Sequence, residues 1–205
     1  MFLCRETKKP IHRKLVVLGD GACGKTSLLN VFTRGYFPQL YEPTVFENYV
    51  QELTIDGQEV QLSLWDTAGQ EEFDRLRTLS YADTDVVMLC FAIDNRDSLE
   101  NIMYRWLEEL GDHCPEVKII LVALKCDLRD DEATIASLQQ QNIHPVLYEE
   151  GLATARSINA VRYLECSAKH NRGVNECFEQ AARVAMTVKT KGAAESRSSE
   201  GCIIL

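Results

Sequence analysis

A chain of 205 residues is long enough to bury a real core and short enough for one compact domain with tails. Its 31 acidic and 22 basic residues, a formal charge of −9, exclude two classes. One is the sequence-independent nucleic-acid binder, which needs a basic face, and the other is a protein held on an anionic membrane by charge alone. No apolar run reaches the roughly 18 to 20 residues that span a bilayer, and the start of the chain lacks the apolar region of a signal peptide. The chain is therefore expected on the cytosolic side. There, cysteines such as Cys23, Cys90, Cys126, Cys166 and Cys177, which show no CxxC or Cys/His metal spacing, are expected as unpaired thiols.

In chain order, a first β-rich run at 14–18 leads into Gly19-Asp20-Gly21-Ala22-Cys23-Gly24-Lys25-Thr26 and a helical stretch at 24–33. Two further runs, 46–55 and 59–65, flank Asp56-Gly57, the signature of a tight hairpin, and are predicted to pair antiparallel. The next run, 86–91, precedes a helical stretch at 98–111, and another at 117–124 ends in Leu124-Lys125-Cys126-Asp127. Helical spacing returns at 148–158, a last strand at 162–166 runs into Ser167-Ala168-Lys169, and a final helix is predicted over 173–189. Runs apolar on both faces, alternating with helices, specify an α/β domain. It is a six-stranded, mostly parallel sheet with helices on both faces. Ligands in such sheets sit beyond the carboxyl ends of the strands, which is where each of these motifs falls.

The motifs carry their own chemistry. G-x-x-x-x-G-K-[ST] between a strand and a helix is a P-loop: glycines let backbone amides converge on phosphate, and the helix N-terminus adds positive potential. Lys25 then reaches the β- and γ-phosphates and the Thr26 hydroxyl ligates Mg²⁺. At the end of the third strand, Asp66 is placed to hold that metal through water, Gly69 offers a backbone amide to the γ-phosphate, and Gln70 orients an attacking water. Asp127 accepts from N1–H and the 2-amino group of guanine, which adenine lacks, while the stem of Lys125 lies along the base.

Asp66-Thr67-Ala68-Gly69-Gln70-Glu71 after an apolar strand resembles the switch II entry of Ras-related small GTPases. Residues 41–49 resemble the switch I of the Rho family, as Phe73-Asp74-Arg75-Leu76-Arg77 resembles its switch II, and the similarity extends over 14–187. The resemblance implies a GTPase with GTP, GDP and Mg²⁺ as ligands, and a nucleotide site formed by 20–27 (with Ser27), Leu128 and both guanine loops. Thr44 would ligate Mg²⁺ and sense the γ-phosphate, Phe37 would pack on guanine, Tyr41 would close over the phosphates, and Ser167, Ala168 and Lys169 would meet the base carbonyl. A short extra helix is implied within 130–147. Exchange factors, activating proteins and effectors would bind at about 41–49 and 70–80, the chain being a monomer. No arginine resembles a finger supplied in cis, so intrinsic hydrolysis is expected to be slow, and an activator's arginine adds a factor of about 10⁵. One departure concerns Leu124, where the family carries Asn or Thr: a leucine cannot donate a hydrogen bond to tie this loop to the P-loop.

The ends of the chain are read as an N-terminal extension, 1–13, and a flexible tail, 188–205, flanking the domain at 14–187. Cys202-Ile203-Ile204-Leu205 is a C-a-a-X ending that favours geranylgeranylation of Cys202. One lipid needs a second signal, and Cys4, beside Phe2 and Leu3, is the candidate for palmitoylation. That extension and Leu124-Lys125-Cys126-Asp127 resemble the third fungal Rho type, which implies the plasma membrane's cytoplasmic face, polarised growth, actin organisation and exocytosis. Two rivals remain: an ATP-using P-loop enzyme, opposed by Asp127, and a rapidly exchanging, poorly hydrolysing GTP-binding module, suggested by Leu124.

Overall fold

The computed structural model describes residues 9–40 and 42–188. Six strands form one sheet: β1 (Ile11–Gly19), β2 (Phe46–Ile55), β3 (Gln58–Thr67), β4 (Val86–Ala92), β5 (Lys118–Leu124) and β6 (Arg162–Glu165). They lie in the order β2-β3-β1-β4-β5-β6, all parallel except β2, which pairs antiparallel with β3. Asp56 and Gly57 both take positive φ, 51° and 76°, the combination that a two-residue hairpin turn needs to match strand twist.

Period-two alternation along β1 explains the two cores. Leu15 and Val17 join β3 and β4 side chains under α1 (Lys25–Arg34) and the long C-terminal helix, where Phe32 stacks on Phe178 at 3.8 Å. Val16 and Leu18 point to the other face, packed with Leu99, Ile102, Trp106 and Ala155. Those come from α3 (Arg96–Asn101), the helical turns after it, and α6 (Tyr148–Ser157). Burying one such aliphatic side chain contributes roughly 1.5–3 kcal/mol, so neither face can be left uncovered.

Four elements differ from their sequence reading. The helix predicted at 98–111 runs from Arg96 to His113. It passes through a π-turn at Ile102–Trp106 before α4 (Leu107–His113), with the Leu107 amide bonded to the Ile102 carbonyl. A short helix, α2 (Asp74–Thr78), forms where no periodicity marked one. β1 starts at Ile11, inside the stretch read as an extension, because Ile11, His12 and Arg13 pair with Val60, Gln61 and Leu62 of β3. The last helix, α7 (Val174–Met186), stops three residues before its predicted end. The buried Arg13 guanidinium donates to the carbonyls of Ala185 (2.8 Å) and Val188 (3.1 Å) at the C-terminal end of that helix, where carbonyls run out of intrahelical donors. The extra helix is α5 (Glu132–Gln139), started by Asp131, whose carboxylate accepts from the Thr134 amide at 2.8 Å.

Candidate functional site

All the motif segments meet at the carboxyl end of the sheet, around a cleft of about 680 Å³. Its walls are the loop between β1 and α1 (Gly21, Ala22, Gly24, Lys25, Thr26, Ser27), the segment from Tyr36 to Glu47, and Thr67 to Gln70. A second pocket of about 130 Å³ adjoins it and shares Gly24, Ser27 and Lys125. Phe37, Leu124, Asp127, Leu128, Ala168 and Lys169 complete this smaller pocket, so residues 132 positions apart in sequence line one space.

The larger cleft holds a set of oxygens in need of a partner. The hydroxyls of Thr26 and Thr44 meet at 2.5 Å, which brings the 36–45 segment onto the start of α1. Below them Asp66 is fully buried, and neither carboxylate oxygen has a hydrogen-bond partner. Burial pushes its pKa up from 3.8 to about 6, a cost that the nearby Thr26 hydroxyl and Lys25 ammonium offset only in part. Two hydroxyls beside a buried carboxylate are the all-oxygen environment that Mg²⁺ takes, so the residues present fit that ion. Lys25 donates from Nζ to the carbonyls of Gly19 (2.7 Å) and Asp20 (2.8 Å), which holds its ammonium at the mouth of the loop.

Close backbone approach governs the other wall. A Cβ on Gly69 would lie 2.2 Å from the Gly21 amide nitrogen, so this segment touches the P-loop as no other residue could. Gly21 itself faces Gln70: a Cβ there would sit 3.6 Å from the glutamine's Cδ. Thr67 anchors the strand end by donating to the Val17 carbonyl at 2.7 Å.

In the smaller pocket Asp127 keeps one buried carboxylate oxygen without a partner, an acceptor available to donors on a bound base. Lys125 takes a left-handed conformation (φ 59°), and its ammonium is held 3.2 Å from Asp94, so its stem forms a wall. The Cys126 amide bonds to the Cys166 carbonyl at 3.1 Å, and this strap fixes the two loops together. Leu124 is buried, with Cδ1 3.7 Å from where a Gly24 Cβ would be. An apolar side chain therefore faces the P-loop at this point, and both residues line the smaller pocket.

Several residues named from the sequence sit elsewhere. Asp20 turns its carboxylate away from the cleft, accepting from Asn101 Nδ2 (2.7 Å) and Trp106 Nε1 (2.8 Å). The Cys23 thiol is buried in the core beneath the loop, and burial raises its pKa. Ser167 is buried and bonds its own turn, accepting from the His170 amide at 3.1 Å, while Ala168 and Lys169 line the pocket. Tyr41, Cys4 and Cys202 lie outside the described residues. Sequence reasoning missed Asp94, Trp106, Arg77 and Glu109, because each acts through partners far away in the chain.

Comparison with known proteins agrees with this geometry. The family model described as the Ras family matches residues 14–187. GTP-binding protein rho3 of Schizosaccharomyces pombe is 62% identical over 202 residues, with 96% of both chains covered. GTP-binding protein RHO3 of Saccharomyces cerevisiae is 55% identical over an alignment of 231 positions, covering 100% of this chain and 99% of its own. GTP-binding protein rho1 of S. pombe is 52% identical over 198 residues, with 95% and 98% covered. The chain belongs to the Ras family and, within it, to the Rho-type GTP-binding proteins: it is a small GTPase.

Proposed function

We propose that this GTPase is a lipid-anchored switch that reads guanine through Asp127, holds GTP with Mg²⁺ between Lys25, Thr26, Thr44 and Asp66, and changes partners on hydrolysis. The observation that carries the reading is a pair of acids with buried, unpartnered carboxylate oxygens: Asp66, buried beneath the Thr26–Thr44 contact of the larger cleft, and Asp127, in the lining of the smaller pocket. One suits a hard cation beside phosphates, and the other suits the donor edge of guanine.

In this reading Lys25 and the backbone amides of 20–26 bind and stabilise phosphate charge. Gln70 orients water for in-line attack, and the bond broken is that between the γ-phosphorus and its bridging oxygen. Bound Mg²⁺ supplies charge neutralisation of the phosphate oxygens. Thr44 and Gly69 hold the two flanking loops against the nucleotide, and loss of the γ-phosphate releases them, which alters the surface offered to effectors and regulators. The test is binding of fluorescent GDP with GTP and ATP as competitors. GTP alone should displace it, whereas equal competition by ATP would remove the guanine assignment.

Support for the anchor comes from the other pole. α7 runs antiparallel to the strands, so its end and the start of β1 lie opposite the cleft. There, Arg13 reaches the Val188 carbonyl and Gln58 the Lys9 carbonyl (3.5 Å). The described ends of the domain, Lys9 and Val188, thus lie on the side away from the partner-binding loops. A geranylgeranyl group on Cys202 and a palmitoyl group on Cys4 would place the protein on the cytoplasmic face of the plasma membrane. Cys202→Ser should render a fluorescent fusion cytosolic and Cys4→Ser should weaken its attachment; unchanged localisation of both would refute the anchor. The resemblance to the third fungal Rho type extends the reading to polarised growth, actin organisation and exocytosis. Normal polarity and secretion after conditional loss of the protein would overturn that part.

Leu124 favours a second reading, a rapidly exchanging module with little hydrolysis, since its packing supplies no hydrogen bond between the loops. Single-turnover hydrolysis decides between the two.

A further inference from the structure

The geometry points to Arg77 as the positioning residue for Gln70 in GTP hydrolysis, seated on a buried platform that is itself tied to the P-loop. This inference rests on the reading of Gln70 as the residue that orients water.

Arg77 is one of the largest fully buried side chains, and a buried charge is retained only when its donors are matched. Glu109 on α4 takes two of them in a fork, from Nε at 2.7 Å and from Nη2 at 2.8 Å, with Asp74 also bonded to Nη2 at 2.5 Å. Those contacts would satisfy a structural ion pair. The remaining nitrogen, Nη1, goes instead to the segment behind the catalytic glutamine, donating to the Ala68 carbonyl at 2.8 Å and, at a longer 3.4 Å, to that of Gln70. Ala68, Gly69 and Gln70 belong to no strand or helix, so sheet pairing does not fix their position. Arg77 fixes it from behind, while the Gly69–Gly21 approach limits it from the front.

The platform beneath is Trp106. The Arg77 guanidinium lies 4.8 Å from its ring centroid, and the indole N–H donates to Asp20 in the P-loop at 2.8 Å. Asn101 holds the other Asp20 oxygen at 2.7 Å. The π-turn sets Asn101 and Trp106 five residues apart at its two edges, and both then reach one carboxylate. Phosphate loop and glutamine segment are therefore referenced to a single buried ring. A displacement of about 1 Å in such a site costs roughly 10²-fold in rate, which is the scale a lost reference would act on.

The experiment measures single-turnover GTP hydrolysis and GDP and GTP dissociation constants on the full chain. It uses the parent, Arg77→Lys, Glu109→Gln, Gln70→Leu and the Arg77→Lys/Gln70→Leu double variant. Lysine keeps the charge but cannot span Glu109 and the two carbonyls. Arg77→Lys should slow hydrolysis by about tenfold, with both dissociation constants within about twofold of the parent. Glu109→Gln, nearly isosteric and less exacting for folding, should slow it by a few-fold in the same pattern. In the Gln70→Leu background Arg77→Lys should have no further effect, because Arg77 acts through Gln70. Parental hydrolysis in both Arg77→Lys and Glu109→Gln beside a slow Gln70→Leu overturns the positioning role alone. So does a parallel loss of nucleotide affinity, which would mark a purely structural arginine. Parental hydrolysis in Gln70→Leu would instead remove the glutamine's role and this inference with it.

Discussion

The two ends of the nucleotide cleft are built in opposite ways. At the base end, loops 125–128 and 166–172 are strapped by backbone bonds: Cys126 to Cys166 at 3.1 Å, Leu128 to Lys125 at 2.9 Å, and a reciprocal pair between Ser167 and Arg172. At the phosphate end, residues 36–40 and 42–45 form neither strand nor helix, Leu40 is 78% exposed, and the segment meets α1 through the Thr44 hydroxyl. A reader of base identity gains from rigidity, since guanine never changes. A sensor of the γ-phosphate must be able to let go, and few backbone bonds and high exposure make local opening inexpensive. Switching is thus confined to one end.

Five substitutions would break or sharpen this contrast. The largest effect is expected for Gln70→Leu, which should slow hydrolysis by about 10²–10³-fold with little change in nucleotide affinity, as read in a single-turnover assay. Gly21→Val should act in the same direction, because a Cβ there already sits 3.6 Å from Gln70 Cδ and the branched methyls reach further. Next comes Asp127→Ala at the rigid end. Losing charged hydrogen bonds to the base should weaken GDP binding about 10- to 100-fold and let ATP compete, which a competition titration would detect. Thr44→Ala, at the mobile end, should leave GDP affinity near parental. It should weaken GTP-dependent effector capture by roughly tenfold, and parental capture would show that the Thr26–Thr44 contact is incidental to switching. The smallest effect is expected for Leu124→Asn. A new hydrogen bond between the base loop and P-loop should slow GDP release about 2- to 10-fold, and an unchanged off-rate would mean that the backbone strap between Cys126 and Cys166 already suffices.

Local signals were enough for much of this molecule. β2 begins and ends at the residues its alternation and the Asp56-Gly57 turn predict, and the P-loop, Asp66-Thr67-Ala68-Gly69 and both base loops lie at strand ends as their patterns require. These features depend on residues adjacent in the chain: turn chemistry, a period of two, and glycines where phosphate or backbone must come close. The sequence also determined the family, through motifs whose spacing is itself the chemistry.

Tertiary structure decided what long-range contacts decide. Asp20 reads as part of a phosphate loop, yet its carboxylate is claimed by Trp106, 86 residues away. Arg77 stands in a segment that resembles a switch loop, but folding buries it against Glu109, 32 residues away, and the ring of Trp106. Arg13 looked like the end of a tail until α7 presented carbonyls to it across 172 positions. A buried charge or a helix end must find its partner wherever the fold brings one, and no local pattern encodes that choice.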